Sequence, residues 1–536
     1  MGGSVEPGDH EQLGPFQLKE ELIRNARDFS LSKAATHKFL DAGRGNPNWV
    51  ATTPREAFFT LGRFALSESK RVWDEPGFGG MPHAGGIAER LRRYLRRSVE
   101  GAGADLLLRA LDHGVSQLGF NADRFVHELV DGIVGDTYPV PDRILVHTEQ
   151  IVHRYLDKVM CDDRPPPGKF QLFAVEGGTA AICYVLKSLM ANRLLHRGDT
   201  VALGTPVFSP YIQLPHLDDF GLNTVEVGQV TSSGGIHTWQ YPDQELEKLA
   251  DPRVKAFFLV NPSNPASFAM AEETQARIVE LVRTRRPDLL ILTDDVYGTF
   301  VEGFRSLAAE LPANTILVYS FSKHFGCTGW RLGVVALHED HVIDRKIAAL
   351  PEADRAALHR RYRSVARDPA GLKFIDRLVA DSREVALHHT AGLAAPQQVQ
   401  MALFSLFALL DPEGAYQQRC RALVQERLDR LARGLGVAVP HDPRRVGYYV
   451  DLDLAVWGRK AFGELFEGYL QAHREPSEVV LALARRRGTV LLDGSGLDGL
   501  PWSVRISLAN LDADDYEAVG RDLREAMQRA LEEWKT

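Results

Sequence analysis

The chain reads as an α/β protein with a large domain built on a mostly parallel sheet and a smaller α+β domain behind it. Three observations predict this. From Gln171 on, short continuous apolar runs (FQLFAV, TVALGTPVF, VKAFFLV, DLLILT, TILVY, RLGVVAL) alternate with helical stretches such as TAAICYVLKSLMANRLL and TQARIVELVRTRR. Strands without polar alternation belong to a sheet covered on both faces. After Pro396 the texture changes to long helices, then GYYVDLDL, TVLLDG and WSVRISLANL as strands, and a closing amphipathic helix DADDYEAVGRDLREAMQRALEEW. Finally, 536 residues exceed what one small core organises, so two or more domains are expected.

Composition narrows the class. Hydrophobic content of 44% and charged content of 25% are ordinary for a globular chain, and the net charge is −8. Nothing in that balance attracts nucleic acid or an anionic membrane. The four cysteines, Cys161, Cys183, Cys327 and Cys420, form no CxxC pair, which argues against a metal cage or disulfide framework and fits a reducing compartment. The opening MGGSVEPGDHEQLG lacks the basic and apolar regions of a signal peptide, and runs such as AFFLV are too short to span a bilayer. A soluble cytoplasmic protein is expected.

Taken in order, the first twenty or so residues are polar and read as an arm. The pattern is then helical to about Gly101, broken by GRGNPNW and PGFGGMPHAGG. The latter has neither GxGxxG nor GxxxxGK[ST] spacing; it is a mobile loop or one that folds over a site. Residues 1–110 are expected to form an arm and a helical part packing with the small domain. Residues 111–395 form the large domain and 396–536 the small one. An Arg-rich helical insert, about 339–388 and including DRAALHRRYRSVARD, is either a solvated face or an oligomer contact.

The chemistry-bearing residues sit where the apolar runs end, which in such sheets is where ligands bind. Gly177, Gly178 and Thr179 stand where a strand turns into a helix, so free backbone N–H groups offer an anion site. Phe208 follows TPV and could stack on a flat ring. Asn264 lies in NPSNP, its loop pinned by Pro265. Asp294 comes straight after a run that should be buried, so its carboxylate needs a positive or proton-bearing partner, and Tyr297 is three residues on. In SFSKHFGCTGWRLG, Lys323 can form a Schiff base if its neighbours keep part of it neutral. Ser320, three before it, and Arg331, eight after it, can hold a doubly charged phosphate. A phosphate cradle, a ring stacker, a partner for a phenolic oxygen, a buried acid and a nucleophilic lysine together suit pyridoxal 5′-phosphate.

In order and separation these motifs resemble the fold-type I, aspartate-aminotransferase-like enzymes: GGT at Gly177–Thr179, NPSNP at Asn261–Pro265, DDVY at Asp294–Tyr297, SFSK at Ser320–Lys323, GWRLG at Gly329–Gly333, and VRISLA with Arg505. The resemblance implies a seven-stranded large-domain sheet. It makes Lys323 the lysine that carries the cofactor and shuttles a proton, with Asp294 on the pyridine nitrogen and Tyr297 and Asn264 on the ring oxygen. Gly178, Thr179, Ser320, Ser322 and Arg331 are implied for the phosphate, Phe208 for the ring face, and Arg505 for the substrate α-carboxylate. Tyr138, in GDTYPVPD, resembles the tyrosine that reaches a neighbouring subunit's phosphate. No metal is implied.

The departures from that pattern are informative. The chain is longer than ordinary members, and NPSNP continues as Ala-Ser where Thr-Gly is usual. AGRGNPNW, PHAGGIAERL, SFSKHFGCTGWRLG and HHTAGLAAPQQVQMALF, from about Leu31 on, look like the bacterial aspartate 4-decarboxylases. That likeness implies conversion of L-aspartate into L-alanine and CO2, with aspartate aminotransferase activity beside it, in large homo-oligomers built from dimers, up to a dodecamer. Once the α-proton has moved, a carbon–nitrogen double bond lies β to the side-chain carboxylate and can take the electrons that CO2 leaves behind. Hydrolysis instead gives oxaloacetate, and a keto acid such as pyruvate then restores the enzyme. A tight clamp on the β-carboxylate would favour the ground state over departing neutral CO2, so one loosely placed cation is expected, with Arg44 the candidate. His324, beside Lys323, is a candidate for assisting proton transfer.

Two other readings compete. One is a plain aspartate or alanine aminotransferase. The other is a non-catalytic effector-binding module, which in regulators follows a basic helix-turn-helix; the first hundred residues here contain no clear one.

Overall fold

The computed structural model describes residues 15–32, 38–98, 100–231, 239–497 and 499–535; most of the stretch read as an arm, residues 1–14, lies outside them. Seven runs form one sheet: β1 (Phe170–Val175), β2 (Thr200–Thr205), β3 (Asn223–Gly228), β4 (Val254–Val260), β5 (Leu290–Asp294), β6 (Thr315–Ser320) and β7 (Gly333–His338). Their order is β1-β7-β6-β5-β4-β2-β3. All pairs are parallel except those of β7, which runs antiparallel to β1 and β6.

The apolar runs lack alternation because both faces are covered. Val201, Leu203, Phe258 and Val318 pack on one side with Ile182, Val185 and Leu189 of the helix Gly178–Ala191. Ala202, Phe257, Leu259 and Ile291 pack on the other with Ile278 and Val282 of the helix Glu272–Arg285. Each buried Leu, Ile or Phe contributes about 2 kcal/mol relative to exposure. Because β7 is reversed, the turn into it reaches the same sheet edge at which β1, β2, β4, β5 and β6 end.

A second unit is built on the antiparallel strands β8 (Tyr449–Asp453), β9 (Leu492–Asp493) and β10 (Ser503–Ser507), in the order β8-β10-β9. The helices Ala415–Leu435 and Ala513–Lys535 share its core through Leu428, Leu431, Val519 and Leu523. They cross closely at Gly520, where a Cβ would lie 2.6 Å from the carbonyl oxygen of Leu431.

The N-terminal segment, expected to pack with the small domain, divides. The helix Pro15–Ser32 does so, through Leu18, Leu22 and Ala26, and Leu40–Asp41 pairs with Thr489–Val490. The helices Thr52–Val72, Ile87–Ser98, Ala102–Ser116 and Ala122–Val134 instead bury their apolar faces on one another and on the helix Ala395–Leu409, joining Leu61, Phe64, Leu107 and Val130 to Val399 and Leu403. Amphipathic helices of matched period bury most apolar surface against each other, so this bundle runs past residue 110.

The Arg-rich insert also divides. Arg360, Arg363 and Arg367 face solvent, whereas Tyr362, Phe374 and Leu378 belong to the large-domain core. Arg377 is buried over the Tyr362 ring. Asp381 accepts from Ser188 Oγ at 2.6 Å, from Arg361 Nη2 at 2.8 Å and from Tyr362. No helix among the described residues is long and apolar enough to cross a membrane.

Candidate active site

Strand ends, the turn into β7 and one small-domain strand converge on a cleft of about 630 Å³. Its walls carry Gly178, Thr179, Phe208, Asn264, Asp294, Tyr297, Ser320, Ser322, Lys323, Arg331, Arg44 and Arg505, residues spread over more than 450 positions and singled out by sequence.

One corner suits a dianion. The helix starting at Gly178 has first-turn N–H groups without intrahelical acceptors. Gly177 caps it at φ 89°, and a Cβ there would lie 2.6 Å from Arg331 Nη2, so only glycine lets the guanidinium lie against the turn. Ser320 Oγ donates to Ser322 Oγ at 2.9 Å, holding both hydroxyls at the same corner. Arg331 itself is left-handed at φ 56°, and its Nη1 donates to the carbonyl of Thr328 at 3.0 Å.

Asp294, the last residue of β5, accepts from the N–H of Val296 at 3.3 Å and from Tyr211 Oη at 3.4 Å. Burial pushes its carboxyl up to about 6, against those bonds and the charge of Lys323. Among the described residues the charge of Lys323 acts on this carboxyl but no cation is bonded to it, and a protonated ring nitrogen would supply that bond. Lys323 Nζ donates to the carbonyl of Gly45 at 3.0 Å. Phe208 lines the cleft just before the short helix Ser209–Gln213.

The small-domain side is polar and fixed. Arg505 donates through Nη1 to Asn264 Oδ1 at 3.1 Å and through Nη2 to the carbonyl of Gly43 at 3.0 Å. With Oδ1 engaged, the Asn264 amide offers its Nδ2 donors. Tyr297 Oη donates to Tyr449 Oη at 3.0 Å.

Two residues, Arg44 and His324, sit differently from the sequence expectation. Arg44 lines the cleft, but its Nε is 3.0 Å from Asp41 Oδ2, so it is an ion-paired cation rather than a loose one. Tyr138, expected to reach a neighbouring subunit, is 70% exposed, with its ring tilted at 32° to that of His389 at 4.8 Å, and does not line its own chain's cleft. His324 is packed among Phe300, Phe325 and Tyr416 instead of facing the cleft. Burial and the nearby Arg421 charge drive its pKa down to about 3, so it stays neutral, and its side chain does not line the cleft where the proton would move.

Sequence reasoning passed over Tyr211 and Tyr449, because a tyrosine in or near an apolar run reads as core. It also passed over Lys19, Glu20 and Ile23, which bring the helix Pro15–Ser32 to the cleft mouth; nothing local marks a solvent-facing helix as a site wall.

The model of the family described as aminotransferase class I and II matches residues 174–521. A bifunctional aspartate aminotransferase and L-aspartate beta-decarboxylase from Pseudomonas sp. is 47% identical over 98% of this chain and 97% of its own length. Among solved structures, an aspartate aminotranferase from Rhizobium meliloti superposes with a TM-score of 0.59 at 15% identity, over 98% of this chain and all of that one. A Thermus thermophilus aspartate aminotransferase double mutant gives 0.54 at 17%, over 98% and 99%. At those identities the structures share the fold. With the family match extending from the end of β1 into the last helix, the chain belongs to the class I and II aminotransferases.

Proposed function

We propose that the protein is a pyridoxal 5′-phosphate-dependent enzyme that converts L-aspartate into L-alanine and CO2, with aspartate aminotransfer as its second activity. The observation that carries this reading is the 47% identity to the bifunctional Pseudomonas enzyme over nearly the whole of both chains.

The residues fit that cofactor. The corner where a Cβ at Gly177 would meet Arg331 suits a phosphate, held by Gly178, Thr179, Ser320, Ser322 and Arg331. Asp294, with no cation bonded to it among the described residues, suits a ring nitrogen and would keep it protonated. Asn264 and Tyr297 would donate to the ring oxygen, and Phe208 would cover one face. When bound, the cofactor supplies an electron sink beside the α-carbon of an amino acid. Lys323 would anchor the cofactor and, once freed, hold and move the α-proton. Arg505 holds the α-carboxylate through its planar fork. Arg44, its charge shared with Asp41, holds the β-carboxylate weakly, and weak holding favours loss of neutral CO2. Tyr138, exposed on the surface, serves the phosphate of a neighbouring subunit in a homo-oligomer built from dimers.

The test mixes purified protein, pyridoxal phosphate and L-aspartate without 2-oxoglutarate, and follows products by proton NMR with CO2 detection. Many turnovers to alanine and CO2 are expected. Stoichiometric oxaloacetate that becomes catalytic only with an added keto acid such as pyruvate would make the protein an aminotransferase alone.

A further inference from the structure

Strand β8 begins at Tyr449, and pairing with β10 sets Tyr449 opposite Ser507 and Asp451 opposite Arg505. Residues two apart along paired strands share a face, so Tyr449 and Arg505 are neighbours: the guanidinium carbon lies 4.5 Å from the ring centroid. The tyrosine is buried, yet it lines the cleft. Its hydroxyl meets that of Tyr297 at 3.0 Å. On the other side, a Cβ at Gly45 would collide with the same hydroxyl, so the loop whose carbonyl Lys323 touches closes down on it.

Ser267 fixes this strand end. It stands at φ 57°, in left-handed backbone, at the position where the sequence has Ser instead of the usual Gly. Its Oγ accepts the N–H groups of both Tyr448 and Tyr449, each at 3.1 Å. A glycine would take the backbone conformation more easily but would leave both donors without this acceptor. The departure at Ser267 and the tyrosine therefore belong to one device.

A phenol carries one proton. In the structure Tyr297 Oη donates to Tyr449 Oη; if Tyr297 instead gives its proton to the cofactor's ring oxygen, the bond must reverse, so that Tyr449 donates within the pair, and a donor on the Tyr297 oxygen makes its O–H a stronger donor in turn. Resting on the role of Tyr297 proposed above, we infer that Tyr449, held by Ser267, is a positioning residue: it turns the Tyr297 O–H toward the cofactor and strengthens it.

The test is a pH titration of the visible absorption band of the cofactor-loaded protein without substrate. A hydrogen bond to the ring oxygen draws density from it and loosens the proton on the adjoining basic nitrogen. Tyr449→Phe keeps the ring, loses the hydroxyl, and moves the transition to higher pH by about half a unit, part of one ordinary hydrogen bond. Tyr297→Phe moves it further the same way, and the double variant adds nothing to Tyr297→Phe. Ser267→Gly shifts it in the same direction by less than Tyr449→Phe. A Tyr449→Phe protein that titrates like wild type while Tyr297→Phe shifts would overturn the proposal, because a merely structural tyrosine leaves the titration unmoved. If Tyr297→Phe itself does not shift, the role of Tyr297 fails first and the proposal falls with it.

Discussion

Arg505 and Asn264 are joined across the cleft: the guanidinium of a small-domain strand donates to the amide oxygen of a large-domain loop at 3.1 Å. The same guanidinium also holds the carbonyl of Gly43 and lies over Tyr449. A fork fixed at three points is pre-aimed, so little entropy remains to be lost when it takes a carboxylate. Arg505→Ala is expected to lower kcat/KM for aspartate by about 100-fold or more, the loss of a charged bidentate contact, while the Kd of pyridoxal phosphate changes by less than about tenfold. Equal loss of both, measured by steady-state kinetics and cofactor titration, would refute a substrate-clamping role.

Lys323 offers the second prediction. Its amine donates to the Gly45 carbonyl at 3.0 Å and its charge acts on the half-buried Asp294, a setting in which a lysine can serve as the nucleophile. Lys323→Ala should abolish the visible band that wild type develops with pyridoxal phosphate and all turnover of aspartate. CO2 release at the wild-type rate by that variant would sink the assignment.

The sheet and much of the site were legible because both follow from one-dimensional rules. An apolar run without alternation is a doubly covered strand, and a polar residue immediately after it must face an end of the sheet, as Asp294 and Ser320 do. What was not legible depends on partners distant in the chain. Arg377 reads as a solvated arginine until the Pro369 carbonyl at 2.7 Å and the Tyr362 ring account for its burial. Arg44 reads as a free cation until its loop folds back on Asp41. Tyr449 reads as core because its hydroxyl finds Tyr297 only when the two domains meet.

A third prediction concerns pH. Asp294 titrates at about 6 in the folded protein against an ordinary 3.8, and burial is the main cause. A raised carboxyl pKa means that the folded state binds its proton more tightly than the unfolded state. That stabilisation is full below about pH 4 and is lost as pH rises through about 6. The whole span is worth at most about 3 kcal/mol. Cofactor-free Asp294→Asn should therefore gain stability over wild type between pH 4 and 7, and the two should converge toward a constant difference below pH 4. Asp295 is raised to about 7 mainly by its own burial and further by the charge of Asp294; the variant relieves that last contribution, which adds to its gain in the same direction. Parallel stability curves across that range, measured by denaturant unfolding, would show that Asp294 carries no such shift.

The last prediction separates strain from hydrogen bonding at Ser267. The residue has φ 57°, which costs a non-glycine residue about 1 kcal/mol. Its Oγ is the acceptor for two strand-end amides at 3.1 Å, and leaving buried donors unpaired costs about 1–3 kcal/mol. Ser267→Ala keeps the strain and loses the acceptor, so it should be less stable than wild type by about 1–3 kcal/mol. Ser267→Gly loses the same acceptor but releases the strain, so it should recover about 1 kcal/mol of that loss. The order wild type, Gly, Ala in urea midpoints is the expected result. An alanine variant as stable as wild type would mean that the two amides find water instead, and the serine would then have no structural reason to occupy a glycine position.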